Sequence, residues 1–151
     1  ALSGEIDAVI NYWHFAAKMK SRGMRSVVTV ADTTSALGLD STTPLLGYVF
    51  NRNLLASGEL MPKMVAASQQ AKAILNEKQE PWDRLRPMMK VKTDSDFEFL
   101  IAGFRAGIPR KPPNLKSVQE MLSIMSKVGG DRLVGDLKTI PEGLFYARTA
   151  D

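Results

Sequence analysis

The densest run of chemically capable side chains is Asn11-Tyr12-Trp13-His14, which follows the short apolar stretch Ala8-Val9-Ile10. An amide, a phenol, an indole and an imidazole in succession combine flat apolar surface with hydrogen-bond donors and acceptors. Small-molecule sites are built from such mixtures, and this one suits reversible capture of a polar or anionic solute. Consecutive residues at a helix start point in different directions, so the four cannot all face one ligand. At least one aromatic ring is expected to pack inward instead. His14 is the only histidine, and there is no cysteine. A histidine-based metal site would need carboxylates at ligand spacing, and no metalloprotease-like spacing occurs. No metal site and no cofactor are therefore expected, and thiolate catalysis is excluded by composition.

Other charged clusters have simpler structural explanations. The sequence has no glycine-rich phosphate loop, no G-x-S-x-G elbow and no H-E-x-x-H pair. Asp94, Asp96 and Glu98 stand where a helix should begin, and acids there are favoured by the helix dipole. Asp7 reads as a local acceptor for backbone N–H groups. A net charge of +4 and a pI near 9.4 permit attraction to anions. Arg84, Arg86, Lys90 and Lys92, with Trp82 nearby, alternate with Leu85, Met88 and Met89, as on the solvated face of a short helix. Arg105, Arg110 and Lys111 flank a proline-rich turn. Nucleic-acid binding is not expected from either group.

The elements that must position the aromatic run follow from periodicity. Ala8–Ile10, Ser26–Val30 and Leu45–Phe50 are short and apolar or β-branched, and each reads as a strand. Trp13–Arg22 reads as a helix stopped by Gly23. Asp32–Pro44, rich in Thr, Ser, Asp and Gly, reads as a loop or hinge. Leu60, Met61, Met64, Val65, Ala71, Ile74 and Leu75 recur at helical spacing. Pro81 opens a short helix limited by Pro87. Thr93 and Asp96 have capping-box spacing ahead of the apolar face Phe97, Leu100, Ile101 and Phe104. Leu115, Val118, Met121, Leu122 and Met125 mark a last amphipathic helix ended by Gly129-Gly130. Few strands followed by a helical back half leave sheet edges unpaired, which implies a missing portion of sheet.

LSGEIDAVINYWHF, RSVVTVAD, TTPLLGYVFNRNLLA and ELMPKMVAASQQAKAIL occur in an order that resembles periplasmic solute-binding proteins of ABC transporters. The nitrate/sulfonate/taurine and thiamine-precursor group is the most similar, and the resemblance covers most of positions 2–76. It implies an α/β fold, the C-terminal part of a two-lobed binding protein, whose leader and first lobe would precede this chain. Residues 1–44 would be the end of the second lobe and the hinge crossing. Residues 45–151 would be the return strand and C-terminal helices packing on the first lobe. In open α/β sheets ligands lie beyond the carboxyl ends of strands. The resemblance accordingly places Asn11, Tyr12, Trp13 and His14 at the ligand cleft, with hinge closure around the solute.

The implied function is non-catalytic capture of a small polar or anionic solute in the periplasm, or from a membrane-anchored extracytoplasmic position, and delivery to a membrane ABC permease. A pyrimidine-synthase-like enzyme of the same two-lobed architecture is the first alternative. Its reactive His and Cys cluster does not occur in this sequence. A helical interaction or nucleic-acid module is the second.

Overall fold

A computed structural model describes residues 1–43, 45–112 and 114–146. Those residues form helices and no strand: α1 (Trp13–Lys20), α2 (Val30–Ala36), α3 (Leu60–Glu77), α4 (Glu80–Leu85), α5 (Asp94–Ala106), α6 (Leu115–Gly129) and α7 (Asp131–Val134). Two short 3-10 turns, Arg52–Ser57 and Arg86–Met88, join the series. The chain divides into two compact units. One comprises Ala1–Val27 and Leu55–Ile108, the other Val28–Leu54 and the residues from Pro109 onward.

The expected α/β fold, with a few strands ahead of a helical back half, is therefore corrected to an all-helical one. Residues 8–10 and 45–50 have no regular structure, and Val30 begins a helix. The physical reason is that a strand exists only as part of a ladder. β-Branched composition favours a pleated, half-buried surface, and it acts through neighbours. Among the described residues no ladder forms, and Leu46 and Val49 stand 88% and 98% exposed. The expected loop from Asp32 begins inside α2 instead, and its far end, Pro44, lies outside the described residues. Thr29 caps α2: Asp32 N–H donates to Thr29 Oγ1 at 3.1 Å, and Thr29 N–H donates back to Asp32 Oδ2 at 2.8 Å. This reciprocal box satisfies two amides that a helix start otherwise leaves unpaired.

In the first unit the core is Trp82, Phe97 and Ile101, with Leu75, Leu85, Met89, Val91 and Phe104 packed around them. Pro81 stands in the first turn of α4, where its missing N–H costs no hydrogen bond. The end of α3 is closed by long-range donors. Trp82 Nε1 donates to the Leu75 carbonyl at 2.7 Å, and Arg105 Nε donates to the same oxygen at 3.1 Å. Arg105 Nη2 reaches the Lys78 carbonyl at 3.2 Å. Terminal carbonyls of a helix need such partners, and a cation there also complements the dipole.

In the second unit α6 is capped by Asn114, whose side-chain oxygen accepts from Lys116 N–H at 2.9 Å. Gln119 fastens the later segment to α6. Its Nε2 donates to the Lys138 carbonyl at 3.1 Å, and its Oε1 accepts from Ile140 N–H at 2.8 Å. Lys111 pairs with Asp40 at 3.2 Å.

Trp82 is 4% exposed and both fills the core and donates to α3. Trp82→Ala should lower stability by about 3–5 kcal/mol. Leu46→Ala, at an exposed site, should change it by less than about 0.5 kcal/mol. Urea denaturation followed by circular dichroism measures both, and equal effects would contradict the assigned core.

Candidate functional site

The site is organised by α1, whose two faces do different things. Trp13 and Ala17, four residues apart, face α5. Ala17 is buried, and Trp13 is 49% exposed with its ring laid over Gly103. A Cβ at position 103 would sit 3.1 Å from Trp13 Cε3, so a larger residue there would have to push the ring back by a few tenths of an ångström. Phe104 meets Trp13 edge-on at 6.5 Å between centroids. Gly23, at φ +84°, lets the chain turn away just beyond the helix.

The deepest polar contact fixes α1 to the start of α5. Asp96 is 1% exposed. Thr93 caps α5 by accepting Asp96 N–H at 3.0 Å, the half of the box that the sequence spacing implies. The carboxylate takes no part in the other half. Its Oδ1 lies 2.5 Å from Ser21 Oγ, which also lies 2.8 Å from the Lys18 carbonyl. Ser21 has one proton, and the shorter, charge-assisted contact to the carboxylate takes it. Arg22 Nη2 stands 3.4 Å from Asp96 Oδ2, and Arg22 Nη1 donates to the Lys18 carbonyl at 2.9 Å. The Ser21 hydrogen bond lowers the Asp96 pKa most, burial opposes it, and Arg22, the Lys92 amide and Lys18 lower it further.

Phe15, Lys18 and Met19 follow at spacings of three and four, so they form a second face of α1, which Arg22 in the turn after the helix extends. That face walls a cavity of about 600 Å³, together with Asn11, Val9, Lys90, Lys92 and Asp96. Among the described residues no carboxylate lies within ion-pair distance of Lys18, Lys90 or Lys92. Lys90 holds the only positive φ of a described non-glycine residue, +51°. That region is sparsely populated by side-chain-bearing residues, and here it lies between the 3-10 turn Arg86–Met88 and α5.

The four residues singled out in the sequence are not brought to one surface. Asn11 lines the basic cavity. Tyr12, 75% exposed, lies parallel to His14 with centroids 6.1 Å apart. His14 is tilted against Phe15 at 4.3 Å. Trp13 turns toward α5 and meets His14 only edge-on. The basic series also splits. Arg84 pairs with Glu80 at 3.6 Å, and Arg86 pairs with Asp94 while lying 4.7 Å over the Phe97 ring. Lys90 and Lys92 instead reach the cavity. Sequence reasoning missed Asp96, Lys18 and Arg22 as site components, because only tertiary packing joins α1 to α5.

A second cavity of about 500 Å³ includes Arg86, Asp94, Phe97 and Arg105 in its lining. Its arginines are already committed, to Asp94 and to the carbonyls that end α3. The basic cavity differs in that its three lysines form no ion pair among the described residues. Among the described residues no group of three or more His, Cys, Asp or Glu is placed to hold a metal ion, and no helix is long and apolar enough to cross a membrane. No protein-family model matches the chain, and no curated protein matches it.

The depressed Asp96 pKa sets an expected pH dependence. A carboxylate with a lowered folded-state pKa stabilises fully above its unfolded value, near 3.9, and loses that contribution as pH falls through the folded value. The melting temperature of the parent should therefore exceed that of Asp96→Asn at pH 7, and the gap should narrow below about pH 4. A gap that stays constant from pH 7 to pH 2 would show that the charge on Asp96 is not what holds α1.

Proposed function

We propose that this chain captures a small polar or anionic solute without catalysis, in the periplasm or from a membrane-anchored extracytoplasmic position, and passes it to a membrane ABC permease. Support comes from the resemblance of the segments between positions 2 and 76 to solute-binding proteins of the nitrate/sulfonate/taurine group. The single observation that carries the binding step is the surface around the start of α1. Tyr12 and His14 offer parallel rings there, and Asn11 borders a cavity whose three lysines have no carboxylate at ion-pair distance among the described residues. Aromatic faces give contact area, while amide, phenol and imidazole supply directed hydrogen bonds. An anion entering this region gains from cations that, among the described residues, form no ion pair. Transfer to a permease and the extracytoplasmic location rest on the resemblance alone.

The test is calorimetry of the full chain against a panel of small anions and neutral polar heterocycles, followed by Tyr12→Ala, Trp13→Ala and His14→Ala. Loss of one desolvated contact should weaken binding by about 1–3 kcal/mol, several- to a hundredfold. Trp13→Ala should also lower the melting temperature, since its ring packs on Gly103 and Phe104. If all three variants stay folded and bind like the parent, capture at this surface is wrong.

A further inference from the structure

We propose that the basic cavity beside α1 binds a phosphate monoester with a small apolar or aromatic body. The inference rests on the solute-capture reading for its purpose, while its geometry is independent of the Tyr12 and His14 rings. Four cationic side chains line the cavity, Lys18, Arg22, Lys90 and Lys92, against one carboxylate, Asp96. Arg22 faces that carboxylate at 3.4 Å and Ser21 hydrogen-bonds its other oxygen, so the single negative charge is matched by one of the four cations. Three lysines remain with no carboxylate at ion-pair distance among the described residues. A dianion offsets that surplus better than a monoanion does.

The donor type selects among anions. Arg22, whose planar fork would favour a flat carboxylate, is spent on Asp96 and the Lys18 carbonyl. What is left are ammonium groups, compact charges with rotatable donors, which fit a tetrahedral group approached from several directions. Val9, Phe15 and Met19 add apolar wall beside the charges. A volume of about 600 Å³ lies within the range of small-molecule sites, and exceeds what a bare phosphate ion needs. The left-handed backbone at Lys90 is a sparsely populated conformation at the cavity edge, and such conformations cluster at ligand clamps.

The probes are phenyl phosphate, benzenesulfonate and inorganic phosphate, titrated into the full chain by calorimetry at pH 8. Benzenesulfonate has the same shape with one charge fewer. Phenyl phosphate should bind at least about fivefold more tightly than benzenesulfonate, one extra unit of charge being worth about that factor near a solvated surface. Inorganic phosphate should bind more weakly than phenyl phosphate. Lowering the pH to 5 converts the monoester to a monoanion, its second pKa being near 6, and should remove its advantage over the sulfonate. Lys18→Gln, Lys90→Gln and Lys92→Gln should each cost about fivefold, and about a hundredfold together. The comparison of probes requires no variant, so it decides even where the triple substitution unfolds the chain. Equal affinity for phenyl phosphate and benzenesulfonate, an unchanged affinity in folded lysine variants, or no saturable binding of the monoester would overturn the proposal. Loss of solute binding in Tyr12→Ala and His14→Ala, with the lysine variants unaffected, would leave solute capture standing and remove the phosphate site. The reverse pattern would keep the phosphate site and remove the aromatic surface.

Discussion

The buried carboxylate of Asp96 is the constraint on which the candidate site depends. It is the only side chain in the described residues that is almost wholly withdrawn from water while carrying a charge. A buried charge is tolerated only with partners, and here those partners come from the far end of α1. Ser21 and Arg22 belong to the turn that ends that helix, and Asp96 belongs to the first turn of α5. Three orientations are thereby fixed together. Trp13 and Ala17 face α5. Phe15, Lys18, Met19 and Arg22 turn to the cavity. Lys90 and Lys92, just ahead of α5, come to the same cavity from the other side.

The rest of the first unit supports α5 from behind. Trp82 fills the core between α4 and α5, and its indole N–H closes the end of α3. Arg105, near the end of α5, donates to carbonyls at the same place. One helix terminus is thus tied to two other elements, and α5 is held by polar bonds at its start and near its end, with apolar contacts between. The electrostatics follow from the same arrangement. Cations with structural duties, Arg86 and Arg105, are consumed by Asp94 and by carbonyls, whereas Lys18, Lys90 and Lys92 form no ion pair among the described residues. The charge available to a ligand is what remains after the fold has used its share.

Local features of the sequence were legible and non-local ones were not. The helix after Thr93, the helix with Pro81 in its first turn and the stop at Gly130 appear where spacing and capping residues placed them, because each depends on a few neighbouring residues, whereas α1 ends at Lys20 with Ser21 as its cap, short of the expected stop at Gly23. The three expected strands failed because β-branched composition says nothing about whether a partner strand exists. At Ser26–Val30 the capping pair Thr29 and Asp32 prevailed over strand propensity and started α2. Asn11–His14 was visible as chemistry, yet its division between the cavity, the α5 face and the exposed surface was not. Ser21 and Asp96 are 75 residues apart, and no periodicity joins them. Lys90 and Lys92 read as a solvated helix face because their neighbour, α1, lies far away in sequence.

The most direct measurement of this arrangement is the titration of the Asp96 side-chain carboxyl by carbon-13 resonance, in the parent chain and in Ser21→Ala. With Ser21 as its strongest partner, the Asp96 midpoint should lie below the ordinary aspartate value of about 3.9, and it should rise toward that value in the variant. An ordinary midpoint in the parent, or the same midpoint in both proteins, would mean that Asp96 does not join α1 to α5 and that the cavity lacks its organising contact.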